Sequence, residues 1–527
     1  MSALDRTRAI VETLQTVVAE AAAHLAAWSG PEDQVVTYDL AAMSSAVAAA
    51  KELYAYSAEN EAEAELALLY AAEVAADLAG RTAGRESFWG LDATALDGIA
   101  DEVAAGRDPQ LADRVASRVL ATGEAGPRHL SDELQMVRSA FRRFAEDRVF
   151  PVAETIHRED QDIPDAIVDG LAGMGCFGLS VPVEYGGSAE GGEDELLSMV
   201  VVTEELSRAS LGAAGSLVTR PEIIGTAIVR GGSEEQKRRW LPAIAAGEKL
   251  CGVAVTEPDH GSDVAGITTH AVRDGDDWVL SGVKTWCTFA GRANYLLVLA
   301  RTDEDRAAGH RGLSLFVVEK PSFLGHEWSV DQEGGGTVEG RAIRTLGYRG
   351  MHSYEVRFDR WRVSATDLIG MDEGLGRGFY LQMQAFANAR LQTAARAVGV
   401  MQSALERAVD YAQQRSVFAR PLADYQLTRT KIAKMAALVA ACRAFAFSAA
   451  RAVTASGGQL EAAQVKQLAC RAAEWVTREA QQLHGGYGYA EEYAVSRLFV
   501  DARVLSIFEG ADEVLALRVI ARQLMKS

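Results

Sequence analysis

Near its C-terminus the chain reads DARVLSIFEGADEVLALRVIARQL, residues 501–524. An aliphatic run ends at Phe508, Glu509-Gly510 follow, and an apolar helical pattern resumes at Val514. A carboxylate flanked by oily sequence must be paired, protonated or put to use, because burying it alone is costly. An apolar surround raises its affinity for protons toward the working pH, which suits a general base, whereas a solvated turn before a helix needs no chemistry. The residues alone leave both readings open. Gly510 would let the backbone approach a ligand without a Cβ in the way. A second stretch, CGVAVTEPDHGSDVAGITTHAVRDGDDWVLSGVKTWCTFAGRANYLLVLART (251–302), puts Thr256, Gly261 and Ser262 on a loop. Hydroxyls on flexible backbone can hold a heteroaromatic ring and a phosphate, although by itself such a loop reads as a turn.

Composition bounds what such residues can serve. The 527 residues exceed one core and suggest roughly three or four domain-sized units. With 48% hydrophobic and 24% charged residues the chain reads as an ordinary soluble globular protein. A net charge of −20 argues against a general nucleic-acid or anionic-membrane binder. Five dispersed cysteines without a CxxC spacing indicate neither zinc nor a disulfide framework, so no metal is expected. No signal-peptide core and no run of about 18 apolar residues is read, so a cytoplasmic enzyme without a membrane span is the expectation.

The positioning elements follow from periodicity. Helices are predicted at Arg6 to Trp28, Tyr38 to about Ser57 and Glu61 to Ala79, with Ser131 as N-cap of a later helix. Residues 131–245 read as mainly helical, interrupted by the turn-like VPVEYGGSAEGGEDE (181–195). Between about 250 and 370, Asp274-Gly275 and Ser281-Gly282 punctuate strands such as DWVLSG, YLLVLA and LSLFVVE. Long helices return from Gly374. LYAYSA (53–58) lies over AFAFSA (444–449), and AAEVAADLA (71–79) over AAEWVTREA (472–480). Either the N-terminal segment is a degenerate copy of part of the C-terminal bundle, or alanine-rich helices match by chance.

Together with VPVEYGG, LGYRGMHSYEVRF (346–358), RSVFARPLADYQ (415–426), LHGGYGYAEEY (483–493) and IFEGADE (507–513), the 251–302 stretch resembles the acyl-CoA dehydrogenase family, in order from about residue 131 to the C-terminus. The resemblance implies a multidomain, mainly α, α+β fold with a helical domain (126–248), a middle β-barrel-like domain (249–372) and a C-terminal four-helix bundle (373–527), to which the alanine-rich helical pattern of residues 1–125 adds an all-α N-terminal extension. It implies FAD shared across a homodimer and electron-transfer flavoprotein as electron acceptor. Thr256, Gly261, Ser262, Trp286 and Thr288 would lie on the flavin and its phosphates, with the Thr288 hydroxyl near N5. Arg415, Phe418, Gln482, Gly485 and Gly486 would hold the partner subunit's FAD. Glu509 would remove the α-proton of an acyl thioester while a β-hydride passes to the flavin, with its own backbone N–H helping to stabilise the enolate oxygen. Some members carry the base one residue before an arginine of the first bundle helix; here that position is Ala389, followed by Arg390. The chain departs from the family pattern at His260, Ala419 and Ala511, and the last two put individual flavin contacts in doubt.

Within the family, the long extension with GSLVTRPEI (from Gly215), TLGYRGMHSYEV and SIFEGADE resembles the methylsuccinyl-CoA dehydrogenases of the ethylmalonyl-CoA route. Their substrate carries a carboxylate on the carbon that loses hydride, which calls for a charge-assisted partner such as a bidentate arginine. Arg220 is the first choice, with a surface salt bridge as its alternative; His260, Arg208 and Arg390 are further substrate-binding candidates. The expected reaction is 2-methylsuccinyl-CoA to mesaconyl-CoA. Alternatives are another short branched or dicarboxylic acyl-CoA, an oxidase releasing hydrogen peroxide, or a colourless acyl-CoA-binding protein.

Overall fold

The computed structural model describes residues 1–30, 33–57, 60–192 and 195–526, without the side chains of 455 and 456. Glu193 and Asp194 of the turn-like stretch 181–195, and Ala58 of the first repeat segment, lie outside the described residues. The chain divides into two compact units, residues 1–138 with 393–527, and residues 139–392.

The first unit is helical. Its N-terminal helices are α1 (Ala3–Ala27), α2 (Gln34–Tyr56) and α3 (Glu61–Thr82); α1 and α2 begin earlier than their periodicity predicts because a polar cap extends them, and α3 begins where predicted and runs on to Thr82. Ser2 and Asp5 form a reciprocal capping box on α1. The Asp33 carboxylate accepts from the backbone N–H of Val35 and Val36, and the Asn60 side chain accepts from Ala62. The Ser131 hydroxyl accepts from Leu134 N–H at 3.3 Å, as its N-cap reading requires. Helix α2 packs on the long helices Gln426–Ser456 and Gln459–His484, and small side chains allow the close approach: Ala41, Ala441, Ala463 and Ala473 are fully buried. Polar ties fix the register, with Ser45 Oγ donating to Gln467 Oε1 at 2.9 Å and Gln464 Nε2 to Ser44 Oγ at 2.6 Å. One segment, Gln426–Thr454, is long and apolar enough to cross a membrane by length and composition, although Arg429, Lys431, Lys434, Arg443 and Arg451 interrupt its apolar residues. With 78% of its apolar window buried, it is a core helix of this unit.

The second unit is built on an eight-stranded sheet: β1 (Cys251–Ala254), β2 (His270–Asp274), β3 (Asp277–Thr288), β4 (Tyr295–Arg301), β5 (Leu313–Glu319), β6 (Glu327–Asp331), β7 (Thr337–Ile343) and β8 (Ser353–Ser364). The order is β1-β4-β2-β3-β8-β7-β6, with β5 antiparallel to β4. β4 is buried along its length and alternates between two cores: Tyr295, Leu297 and Leu299 enter one, Leu296, Val298 and Ala300 the other. The first core is covered by the helices Thr219–Gly231 and Glu234–Ala245, through Ile224, Ile228, Trp240 and Leu241. Asp274-Gly275 turns the β2–β3 hairpin as predicted. Ser281-Gly282 does not turn: Gly282, at φ 146°, sits in a bulge inside β3 where a Cβ would come within 2.5 Å of Thr269. The helix Gly378–Gln414 supplies its first residues to this unit and those from Thr393 to the first unit.

Candidate active site

After the helix Ala494–Leu505 the chain makes an irregular loop before the short helix Asp512–Val514. Glu509 at its centre has φ 54° and Gly510 φ 101°. Such conformations are uncommon for residues with a Cβ and frequent where a side chain must be held in one direction. The glycine is required by the loop itself, since a Cβ there would stand 2.9 Å from Leu515 Cδ2. The Glu509 side chain is 10% exposed. Its Oε2 accepts from Arg396 Nη2 at 2.7 Å and Thr393 Oγ1 at 2.5 Å. Arg396 is fully buried, and its guanidinium lies over the Phe508 ring at 4.7 Å. The apolar surround expected from the sequence is therefore corrected: the flanking sequence is oily, but the carboxylate is held in an ion pair, as a nearly dry charge must be. Lys466, also fully buried, donates to the Gly510 carbonyl at 2.6 Å.

In the second unit the loop after β1 is fastened by an acid. Glu257 accepts from Thr268 N and Oγ1 (2.7 and 2.8 Å), Thr269 N (2.8 Å) and the buried ammonium of Lys284 (2.9 Å). Burial alone would raise its pKa, yet the Lys284 charge and these hydrogen bonds bring it down to about 2. Half-buried Thr256 and exposed Gly261 and Ser262 flank this anchor. His260 pairs its backbone with Glu257, and its ring covers Gly266 of the same loop, where a Cβ would come within 2.6 Å of it. A second irregularity in β3, between Lys284 and Cys287, turns Trp286 outward at φ 57° and leaves it 55% exposed. Thr288 is buried in register with Ser353 of β8, their hydroxyls 3.0 Å apart. An outward flat ring, a buried hydroxyl pair and an open glycine-serine loop form a donor set that fits a flavin nucleotide.

The arginine candidates separate. Arg208 is buried between Glu146 (2.5 Å) and Glu205 (3.3 Å) and lies over the Phe150 ring, so its charge is already satisfied and its substrate role is corrected to a structural one. Arg220, in the helix Thr219–Gly231, is 7% exposed and makes no hydrogen bond or ion pair among the described residues; its Nη1 is buried without a partner. The surface salt bridge offered as its alternative is absent there. The neighbouring Glu222 is occupied elsewhere, accepting from Asn388 Nδ2 (2.8 Å) and Thr226 Oγ1 (3.2 Å), and burial raises its pKa. Arg390 is buried next to Ala389, which is fully enclosed in the sheet–helix core.

Among the other cofactor candidates, Phe418 and Ala419 form the two-residue turn of a small hairpin (Ser416–Val417 with Arg420–Pro421), both at positive φ. The turn holds the Phe418 ring 96% exposed, beside exposed Arg415. Gln482 is exposed at the end of the helix Gln459–His484, and Gly485, at φ 59° and ψ −137°, closes it in a conformation open to glycine; Gly486 follows, exposed. Elsewhere, Asp160, His326 and His352 bring one potential metal-ligand atom each within 4.8 Å of one another. Asp160 lies 3.2 Å from His326 and 3.6 Å from His352, distances that His–carboxylate pairing accounts for. A cavity of about 590 Å³ in the first unit, lined by Glu63, Arg118, Arg128 and His129, contains none of the predicted residues.

Sequence reasoning missed Thr393, Arg396, Lys466, Glu257 and Lys284. Thr393 and Arg396 share a helix face three residues apart, a visible spacing; that they meet Glu509 over a hundred residues later is not visible in one sequence.

Comparison with known proteins gives three family matches: acyl-CoA dehydrogenase N-terminal domain over residues 131–248, middle domain over 252–361 and C-terminal domain over 376–525. The chain is 45% identical over 404 residues to a (2S)-methylsuccinyl-CoA dehydrogenase of Cereibacter sphaeroides, covering 76% of this chain and 71% of that one. A glutaryl-coenzyme A dehydrogenase solved with glutaryl-CoA matches with TM-score 0.69 and 32% identity, over 76% of this chain and 97% of the other. A structure described as the electron transferring flavoprotein of Acidaminococcus fermentans contains a chain matching with TM-score 0.67 and 28% identity, over 76% and 98%.

Proposed function

This chain belongs to the acyl-CoA dehydrogenase family, and from that premise we propose that it oxidises 2-methylsuccinyl-CoA to mesaconyl-CoA. FAD-dependent dehydrogenation of an acyl-CoA is the family's reaction; the substrate and the residue roles are our reading. The observation that carries it is Arg220, a buried guanidinium without an anionic partner among the described residues. A dry, unpaired cation is costly in a folded protein and is retained where a ligand supplies the counter-charge. The terminal carboxylate of a dicarboxylic acyl-CoA has that charge and the planar geometry for bidentate binding. The relative named for methylsuccinyl-CoA supports the same choice.

Glu509 is the base in this reading. Its carboxylate takes the α-proton from the carbon bearing the methyl group, and the ion pair with Arg396 together with the Thr393 hydroxyl fixes its direction before substrate arrives. The developing enolate oxygen is stabilised by the Glu509 backbone N–H, as in the family. FAD, when bound, supplies the acceptor for the hydride that leaves the β-carbon. Thr256, Gly261, Ser262, Trp286 and Thr288 would hold this flavin, and Arg415, Phe418, Gln482, Gly485 and Gly486 that of a second subunit in a homodimer. Electron-transfer flavoprotein is the proposed acceptor, in line with the related flavoprotein structure.

The test compares kcat/KM for butyryl-, isobutyryl-, glutaryl- and methylsuccinyl-CoA. Preference for methylsuccinyl-CoA is expected. Preference for an uncharged chain would remove the substrate and leave the reaction class intact; peroxide release in air in place of electron transfer would make the protein an oxidase.

A further inference from the structure

We propose that Tyr38, on helix α2 of the N-terminal extension, is a positioning residue for the Glu509 carboxylate, acting through Asp512. This rests on reading Glu509 as the base. Within the first unit the loop that carries Glu509 is fastened at four points. Ser506 Oγ donates to Glu474 Oε1 at 2.5 Å, Lys466 Nζ to the Gly510 carbonyl at 2.6 Å, and Arg396 with Thr393 to Glu509 itself. The fourth point is the Tyr38 hydroxyl, which donates to Asp512 Oδ2 in a short hydrogen bond. Three of these partners lie on bundle helices, and the fourth comes from a segment more than four hundred residues earlier in the chain.

The geometry gives this last contact leverage. Asp512 opens the helix that follows the loop, three residues beyond Glu509, and its backbone N–H closes the loop onto the Ser506 carbonyl at 3.2 Å. Asp512 is 9% exposed, and its other oxygen, Oδ1, has no hydrogen-bond partner among the described residues. Tyr38 is thus the side chain that satisfies this carboxylate, and removing the hydroxyl leaves a nearly buried acid to seek water by shifting the loop. The Arg471 guanidinium lies over the Tyr38 ring, 5.7 Å from its centroid, and holds it in place. Around the bond, Ala41 of α2 packs in one cluster with Leu515, Ala516 and Ile520, and Leu515 is the side chain that Gly510 must clear. A movement of α2 therefore reaches Gly510 by packing and Asp512 by hydrogen bonding. A base needs placement within a fraction of an ångström, so a loop released at this point loses rate rather than binding.

The experiment uses full-length, FAD-loaded protein. Tyr38→Phe keeps the ring and deletes the hydroxyl. Ser45→Ala is the comparison: it breaks a buried bond from the same helix to Gln467, a side chain that makes no hydrogen bond to the loop among the described residues. Tyr38→Phe is expected to lower kcat about tenfold, with KM and flavin content within about twofold and a larger isotope effect on kcat with α-deuterated substrate. Ser45→Ala is expected to lose similar thermal stability and keep kcat. Tyr38→Phe with native kcat and isotope effect, or an equal fall in kcat in Ser45→Ala, overturns the proposal. Glu509→Gln assayed alongside separates the causes: if it is inactive while Tyr38→Phe is normal, only the positioning role fails, and if it is active the base assignment fails.

Discussion

Replacing Arg220 with methionine should move activity and stability in opposite directions. In the ligand-free protein the guanidinium sits 7% exposed without an ion pair among the described residues, so the fold carries its desolvation unrelieved. An uncharged thioether side chain would fill part of the same volume without that penalty, and stability should rise by about 1 kcal/mol or more. In the substrate complex, two charge-assisted hydrogen bonds are lost at about 1.5–3 kcal/mol each, and the substrate carboxylate is left unpaired. A loss of about 3–4 kcal/mol lowers kcat/KM for methylsuccinyl-CoA by about 10²- to 10³-fold. Butyryl-CoA has no terminal charge, and its kcat/KM should stay within about threefold. The assays are steady-state dye reduction with both substrates and thermal unfolding of the holoprotein without ligand. A structural arginine would lose stability and affect both substrates alike; that outcome refutes the argument from the unpaired cation.

Other predictions follow from the two anchors. Glu509→Gln should retain yellow, FAD-loaded protein while turnover falls about 10²- to 10⁴-fold, the usual contribution of a general base; absorbance and kcat measured on one preparation check it. Glu257, with a folded pKa near 2 against an ordinary value of 4.5, contributes stability that is present above about pH 4.5 and lost as the pH falls toward about 2. Glu257→Gln should therefore destabilise the protein at neutral pH and flatten the fall in Tm on acidification; an unchanged acid limb would show that the Lys284 pair does not stabilise the fold.

Much of this protein can be read along the chain. The strand LSLFVVE appears at its predicted limits as β5, because a short apolar run between polar breaks can be satisfied only by burial on both faces. Helix ends shifted where a cap decided them, as at Asp33, which starts α2 four residues before Tyr38. The order of motifs, the position of Glu509 and the hydroxyl-bearing loop at Thr256 were likewise legible, since backbone conformation and local polarity leave their mark on neighbouring residues. What surrounds those residues was not. Arg208 and Arg220 have the same side chain on neighbouring helical segments; one is neutralised by Glu146 and Glu205 and the other is left without a partner among the described residues. Tyr38 reads as one more residue of an alanine-rich helix until folding sets it against Asp512. Local sequence determines which elements form and which side chains could do chemistry. Only tertiary structure decides which charges are paired, because Coulomb and hydrogen-bond partners are chosen by distance in space and not by separation along the chain.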